Sequence, residues 1–131
     1  MEPRAIKNLI LDANIIIAYL AGEESVVERL SEWRKRGLTL FLPSVAESEI
    51  LSFSRWTSEE RHYTEEFIVD NFVSVSFDRT LAQMAGKIRA ESGLKFPDAA
   101  IAASALQKAI PLVTRNTRDF KKVAQLTIVM I

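Results

Sequence analysis

Short, largely apolar runs alternate with longer amphipathic stretches along the chain. Residues 7–11, 38–42, 72–76, 111–114 and 126–131 have the length and composition of strands. The stretches between them carry helix signals. Residues 14–20 read as a short helix that stops near Gly22. Ser25 with Glu28 forms a capping-box pattern that opens a helix to about Arg36, ended by Gly37. A helix starts at Pro43-Ser44, with Glu47 completing a second box, and Thr57 with Glu60 makes a third before residues 58–70. Asp78 caps a helix that runs to Ser92 and stops at Gly93. Pro97 then starts an Ala-rich helix to about Ala109. Strands alternating with helices predict an α/β fold, with a central parallel sheet of about five strands covered on both faces.

Composition narrows the class. The 131 residues suffice for one compact domain, and no repeat, low-complexity segment or linker divides them, so residues 1–131 are expected to form one domain. A hydrophobic fraction of 48% with four Gly and four Pro fits a well-packed globular chain. The absence of cysteine excludes disulfides and thiolate metal sites, and a lone His62 excludes a multi-histidine zinc site. No apolar run approaches the roughly 20 residues of a membrane span. Residues 1–7 carry no apolar stretch of the signal-peptide kind, which leads to the expectation of a cytoplasmic protein without membrane contact. The 17 basic and 17 acidic residues cancel, which argues against nonspecific coating of nucleic acid. Two local basic clusters remain, Arg34-Lys35-Arg36 and the set Arg115, Arg118, Lys121 and Lys122. Each also reads as a solvated helix end.

The chemistry-bearing residues are four carboxylates at turning points of the chain. Asp12 follows the first apolar run, and Asp98 opens the small-residue run to Ala105. Glu49 lies on the edge of a helical stripe formed by Val45, Ala46, Ile50 and Phe53, whereas Glu47 lies off it and has its place in the capping box. Asp119 lies in a short turn capped by Asn116. Each has a plain structural reading: Asp12 as a helix N-cap, Glu49 as an arginine partner, Asp98 as a helix-terminus stabiliser, Asp119 as surface charge. Together they suggest a hard cation such as Mg²⁺ or Mn²⁺, which prefers oxygen ligands and offsets the cost of charge beside buried segments. Three or four carboxylates round a divalent ion suit phosphodiester hydrolysis. If the first and fourth strands are neighbours, Asp12 meets Thr114, Arg115 and Asn116. His62, Trp33 and Trp56 read as surface or packing residues.

These segments resemble the PIN-domain ribonucleases, and within them the VapC-like toxins of toxin–antitoxin pairs. The resemblance rests on Leu9-Ile10-Leu11-Asp12-Ala13-Asn14, on residues 44–52 with Glu49-Ile50-Leu51, on Phe96-Pro97-Asp98 with the small residues that follow, and on residues 112–120. Their order and spacing cover nearly the whole chain. The resemblance implies a three-layer α/β/α fold and Mg²⁺- or Mn²⁺-dependent endoribonuclease activity. It places the acidic site on Asp12, Glu49 and Asp98, with a more variable fourth position at Asp119. Asn14, Thr114, Arg115 and Asn116 fall beside it, as contacts to substrate or to the carboxylates. It further implies a homodimer, an RNA substrate and a small cognate antitoxin that docks over the site. In one departure, Phe53-Ser54-Arg55-Trp56 stands where relatives often carry Gly. Three other functions compete: a catalytically silent binding module of the same fold, a housekeeping PIN nuclease, and a phosphatase of the haloacid dehalogenase kind. The last puts Asp-x-Asp after the first strand, where this chain has Asp12-Ala13-Asn14.

Overall fold

The structure, a computed structural model, describes residues 6–131. The leaderless N-terminus read from the sequence falls largely on Met1 to Ala5, outside the described residues. The elements run β1 (Asn8–Leu11), α1 (Ala13–Leu20), α2 (Glu24–Lys35), β2 (Thr39–Pro43), α3 (Ser44–Leu51), α4 (Ser58–Asn71), β3 (Val73–Val75), α5 (Arg79–Ser92), α6 (Phe96–Lys108), β4 (Leu112–Val113), α7 (Thr117–Phe120) and β5 (Ile128–Val129). Among the described residues the five strands form one sheet, in the order β3-β2-β1-β4-β5, with every pairing parallel. Helices cover both of its faces. Leu9, Ile10 and Leu11 of the central strand are fully buried although they point alternately to opposite faces, as a sheet covered on both sides requires. The expected α/β architecture is therefore present, with outer strands shorter than the apolar runs that announce them.

Local signals worked where backbone and side chain agree. Thr57 and Glu60 exchange both capping-box bonds, at 3.1 and 2.8 Å. Asp78 accepts from the Leu81 N–H at 3.0 Å, and Gly93 ends α5 at φ +74°. Two expected boxes do not form. Helix α2 begins two residues early, with Glu23 in the extended N-cap conformation, so Ser25 lies inside the first turn. Pro43 takes the N-cap position of α3, and the Ser44 hydroxyl accepts instead from the Phe77 N–H at 3.1 Å. Glu47 thus has no capping role. The expected stripe on α3 is also narrower, because the helix ends at Leu51 and Phe53 lies beyond it, 51% exposed.

Helix α6 is the central one. Every residue from Ala99 to Ala105 is buried, which small side chains permit at close helix–helix and helix–sheet approach. It packs along α5 and also meets α3. Helices α1, α2 and α4 are joined by an aromatic clasp: Tyr19 stacks on Phe67 at 5.1 Å, and the Arg34 guanidinium lies 5.6 and 5.7 Å from the two rings. The buried Arg34 Nε and one Nη have no hydrogen-bond partner, so the ring faces supply the electrostatic compensation. Trp33 is fully buried, and Trp56 is half-buried, in an edge contact with Phe53. His62 is exposed on α4 and pairs with Glu66 at 2.9 Å. No helix among the described residues is long and apolar enough to cross a membrane.

Candidate functional site

From the central β1 the chain moves to β2 and β3 on one side, and only later to β4 and β5 on the other. The direction of winding therefore reverses between β1 and β4. In open parallel sheets this reversal opens a crevice beyond the carboxyl ends of the strands. Asp12 follows β1 directly and Thr114 follows β4, and the pairing of Leu11 with Val113 sets them side by side. The Asp12 N–H donates to the Val113 carbonyl at 3.0 Å.

Asp12 is only 5% exposed. One of its oxygens accepts from the Ala13 N–H at 2.8 Å, and the other accepts from the Thr114 hydroxyl at 2.7 Å. Thr114, itself fully buried, then accepts from the Asn116 N–H at 3.0 Å. The Asn116 side-chain amide does not cap α7. Its Nδ2 donates to Asp119 Oδ2 at 3.1 Å and, more weakly, to Asp98 Oδ2 at 3.5 Å. A continuous polar chain thus links Asp12, Thr114, Asn116, Asp98 and Asp119. Asp98 is half-buried in the first turn of α6, and Glu49 is exposed on α3, the helix packed against both α1 and α6.

The electrostatics show how close these carboxylates are to one another. Burial raises the pKa of Asp12, and its bonds from Thr114 and Ala13 offset part of that rise. Glu49 is raised first by desolvation and then by the charges of Asp12 and Asp98. Asp98 is raised by desolvation and by Asp12 and Asp119, against an opposing pull from Lys95. Like charges held together without a matching cation respond in this way. The donors are all carboxylate or amide oxygens, and that chemistry fits a hard divalent ion. Among the described residues, however, no three acidic or histidine side chains are already grouped round a common point.

The remaining residues singled out in the sequence divide. Asn14 Oδ1 accepts from the Arg115 N–H at 3.5 Å, which brings the start of α1 to the loop after β4. The Arg115 guanidinium turns away to pair with Glu23 and to donate to the Ile131 carbonyl at 3.3 Å. Arg118 and Lys122 each lie 3.9 Å from Asp119. Sequence reasoning missed Glu23 and Lys95. Lys95 carries a signal, since it stands three residues before Asp98. Glu23 carries none, because its partner is 92 positions away.

The family profile of the PIN domain matches residues 9–126. The chain belongs to the PIN domain family. No curated protein matches it. Several solved structures do. VapBC2 from Rickettsia felis, bound to a DNA fragment from its promoter, superposes with a TM-score of 0.80 at 21% identity, covering 95% of this chain and 98% of that one. DNA-bound VapBC from Salmonella typhimurium gives 0.78 at 22%, with 94% and 97% covered. VapBC-1 from nontypeable Haemophilus influenzae gives 0.77 at 20%, with the same coverage of 94% and 97%. At these identities the likeness is one of fold, and it extends over the whole PIN domain.

Proposed function

We propose that this PIN domain is a divalent-cation-dependent endoribonuclease, acting as the toxin of a toxin–antitoxin pair. The observation that supports the reading is that Glu49 on α3 and Asp98 on α6 both feel the charge of Asp12 at the end of β1. Their mutual repulsion lacks a structural purpose unless a cation relieves it. Asp12, Glu49 and Asp98 would hold Mg²⁺ or Mn²⁺, with Asp119 or Asn116 completing the set. When bound, the ion supplies Lewis-acid polarisation of the phosphate and lowers the pKa of water. Asp12, fixed by Thr114 and the Ala13 N–H, is the rigid member. Glu49, the exposed member, would be the ligand that meets incoming water and substrate. Arg118 and Lys122, beside Asp119, would contact flanking phosphates of the RNA, whereas Arg115 is held by Glu23.

The toxin role is supported by the toxin–antitoxin complexes among structures of the same fold. In this reading residues 1–131 are one nuclease domain that works in the cytoplasm, forms a homodimer and is silenced by a small antitoxin. The dimer face would lie on residues 44–70, where Phe53 and Tyr63 offer exposed apolar area, while Phe67 is turned inward onto Tyr19. The test is cleavage of total cellular RNA by the purified protein. Cleavage should require Mg²⁺ or Mn²⁺, stop with EDTA, and fall by at least about 100-fold in Asp98→Asn with the circular dichroism spectrum unchanged. A silent binding module would cleave nothing under any metal.

A further inference from the structure

We propose that Phe96 is a stacking platform for the nucleobase next to the scissile phosphate, and so a substrate-positioning residue of the ribonuclease proposed above, on which this inference rests. Phe96 opens α6 and stays 42% exposed, although residues Ala99–Ala105 of the same helix are buried. Its ring meets Phe77 in a T-shaped contact, 5.4 Å between centroids and 85° between planes. Such a contact covers at most one face of a ring and holds its tilt. Phe77 is itself anchored, because its N–H donates to the Ser44 hydroxyl at the start of the helix that carries Glu49. The exposed ring is therefore braced by the two helices that present Glu49 and Asp98.

Phe96 stands two residues before Asp98 in the first turn of α6, so the ring and the carboxylate are presented at the same end of one helix. Lys95 precedes it and acts on Asp98. Arg118 and Lys122 lie beside Asp119, which Asn116 links to Asp98. An exposed aromatic ring and cations at the two ends of this linked acidic set match what single-stranded RNA offers: a base to stack and phosphates to pair. The other exposed aromatic in reach of the site, Phe53, has different surroundings. It leans on Trp56 in a cleft that Glu49 borders but that Ile17, Leu20 and Ile50 make largely apolar, and no cation among the described residues lines it.

The test compares wild type, Phe96→Ala, Phe96→Leu and Phe96→Trp, with Ca²⁺ in place of the catalytic ion to hold the RNA uncut. The probes are a short mixed-sequence oligoribonucleotide and an abasic ribose–phosphate strand of the same length. Wild type should prefer the base-bearing strand by about tenfold, and Phe96→Ala and Phe96→Leu should lose that preference. Phe96→Trp should keep it and show fluorescence quenching by the RNA. In cleavage assays Phe96→Ala should raise KM by a similar factor with little change in kcat. Equal binding of both strands by wild type, or an undiminished preference in Phe96→Ala, overturns the proposal. So does a Phe96→Ala protein whose only change is loss of self-association, since the ring then serves a second copy. Wild-type cleavage with Phe96 irrelevant refutes this inference alone, whereas failure of wild type to bind or cleave any RNA refutes the ribonuclease reading and this inference with it.

Discussion

Thr114 governs the site without carrying charge. Its hydroxyl donates to Asp12 and accepts from the Asn116 N–H, so one buried side chain satisfies two partners. Thr114→Val keeps the shape and strands both groups. A buried carboxylate that loses its donor costs about 2–3 kcal/mol, and Thr114→Ser, which keeps the hydroxyl, should cost well under half of that. Urea melts of the two variants check this. The valine variant should also raise the pKa of Asp12 further, since the Thr114 bond now lowers it. Asp12 and Asp98 were legible in the sequence because each follows a local signal, the end of an apolar run and the Pro of a helix start. The Thr114–Asp12 bond was only conditionally legible. It spans 102 positions and depended on which strands pair. The turning of Arg115 toward Glu23, 92 positions away, left no trace in local pattern at all.

At the scale of elements, one helix end stands out. Helix α6 closes at Ala109 with φ +55°, the left-handed conformation that Gly93 takes at the end of α5. A side chain there costs roughly 1 kcal/mol, and Ala109 is exposed, so Ala109→Gly loses little packing. It should stabilise the protein by up to about 1 kcal/mol, read as a rise of a few degrees in Tm. The same scale shows why capping motifs were an uneven guide. Thr57-x-x-Glu60 formed because Thr57 itself takes the extended N-cap conformation. Ser25-x-x-Glu28 and Ser44-x-x-Glu47 have the same pattern, but Glu23 and Pro43 took that conformation first. The Ser44 hydroxyl then found a partner 33 positions on. A capping box states which residues are able to cap, and tertiary packing decides which one does. Strand order was likewise absent from the hydrophobic pattern, which marks the runs and not their neighbours.

For the whole molecule, three carboxylates with raised pKa values set a pH dependence. A group that binds its proton more tightly when folded stabilises the fold below its ordinary range, near pH 4, and that contribution is lost as pH rises through the raised value. Asp12, Glu49 and Asp98 all act in this direction. In EDTA, the protein should therefore lose stability from these groups as pH rises from about 4 toward neutrality, and Asp98→Asn should flatten that slope in melts across the range. A divalent cation should reverse the trend, since it binds the ionised carboxylates and only the folded state gathers them.

Titration of the metal-free protein with Mn²⁺, followed by the electron paramagnetic resonance of the free ion, tests the central claim most directly. Wild type should bind the ion saturably, and Glu49→Gln and Asp98→Asn should each weaken binding at least about tenfold, as loss of a first ligand does. Mn²⁺ affinity equal in wild type and both variants would contradict the account, because the three carboxylates would then not serve one ion.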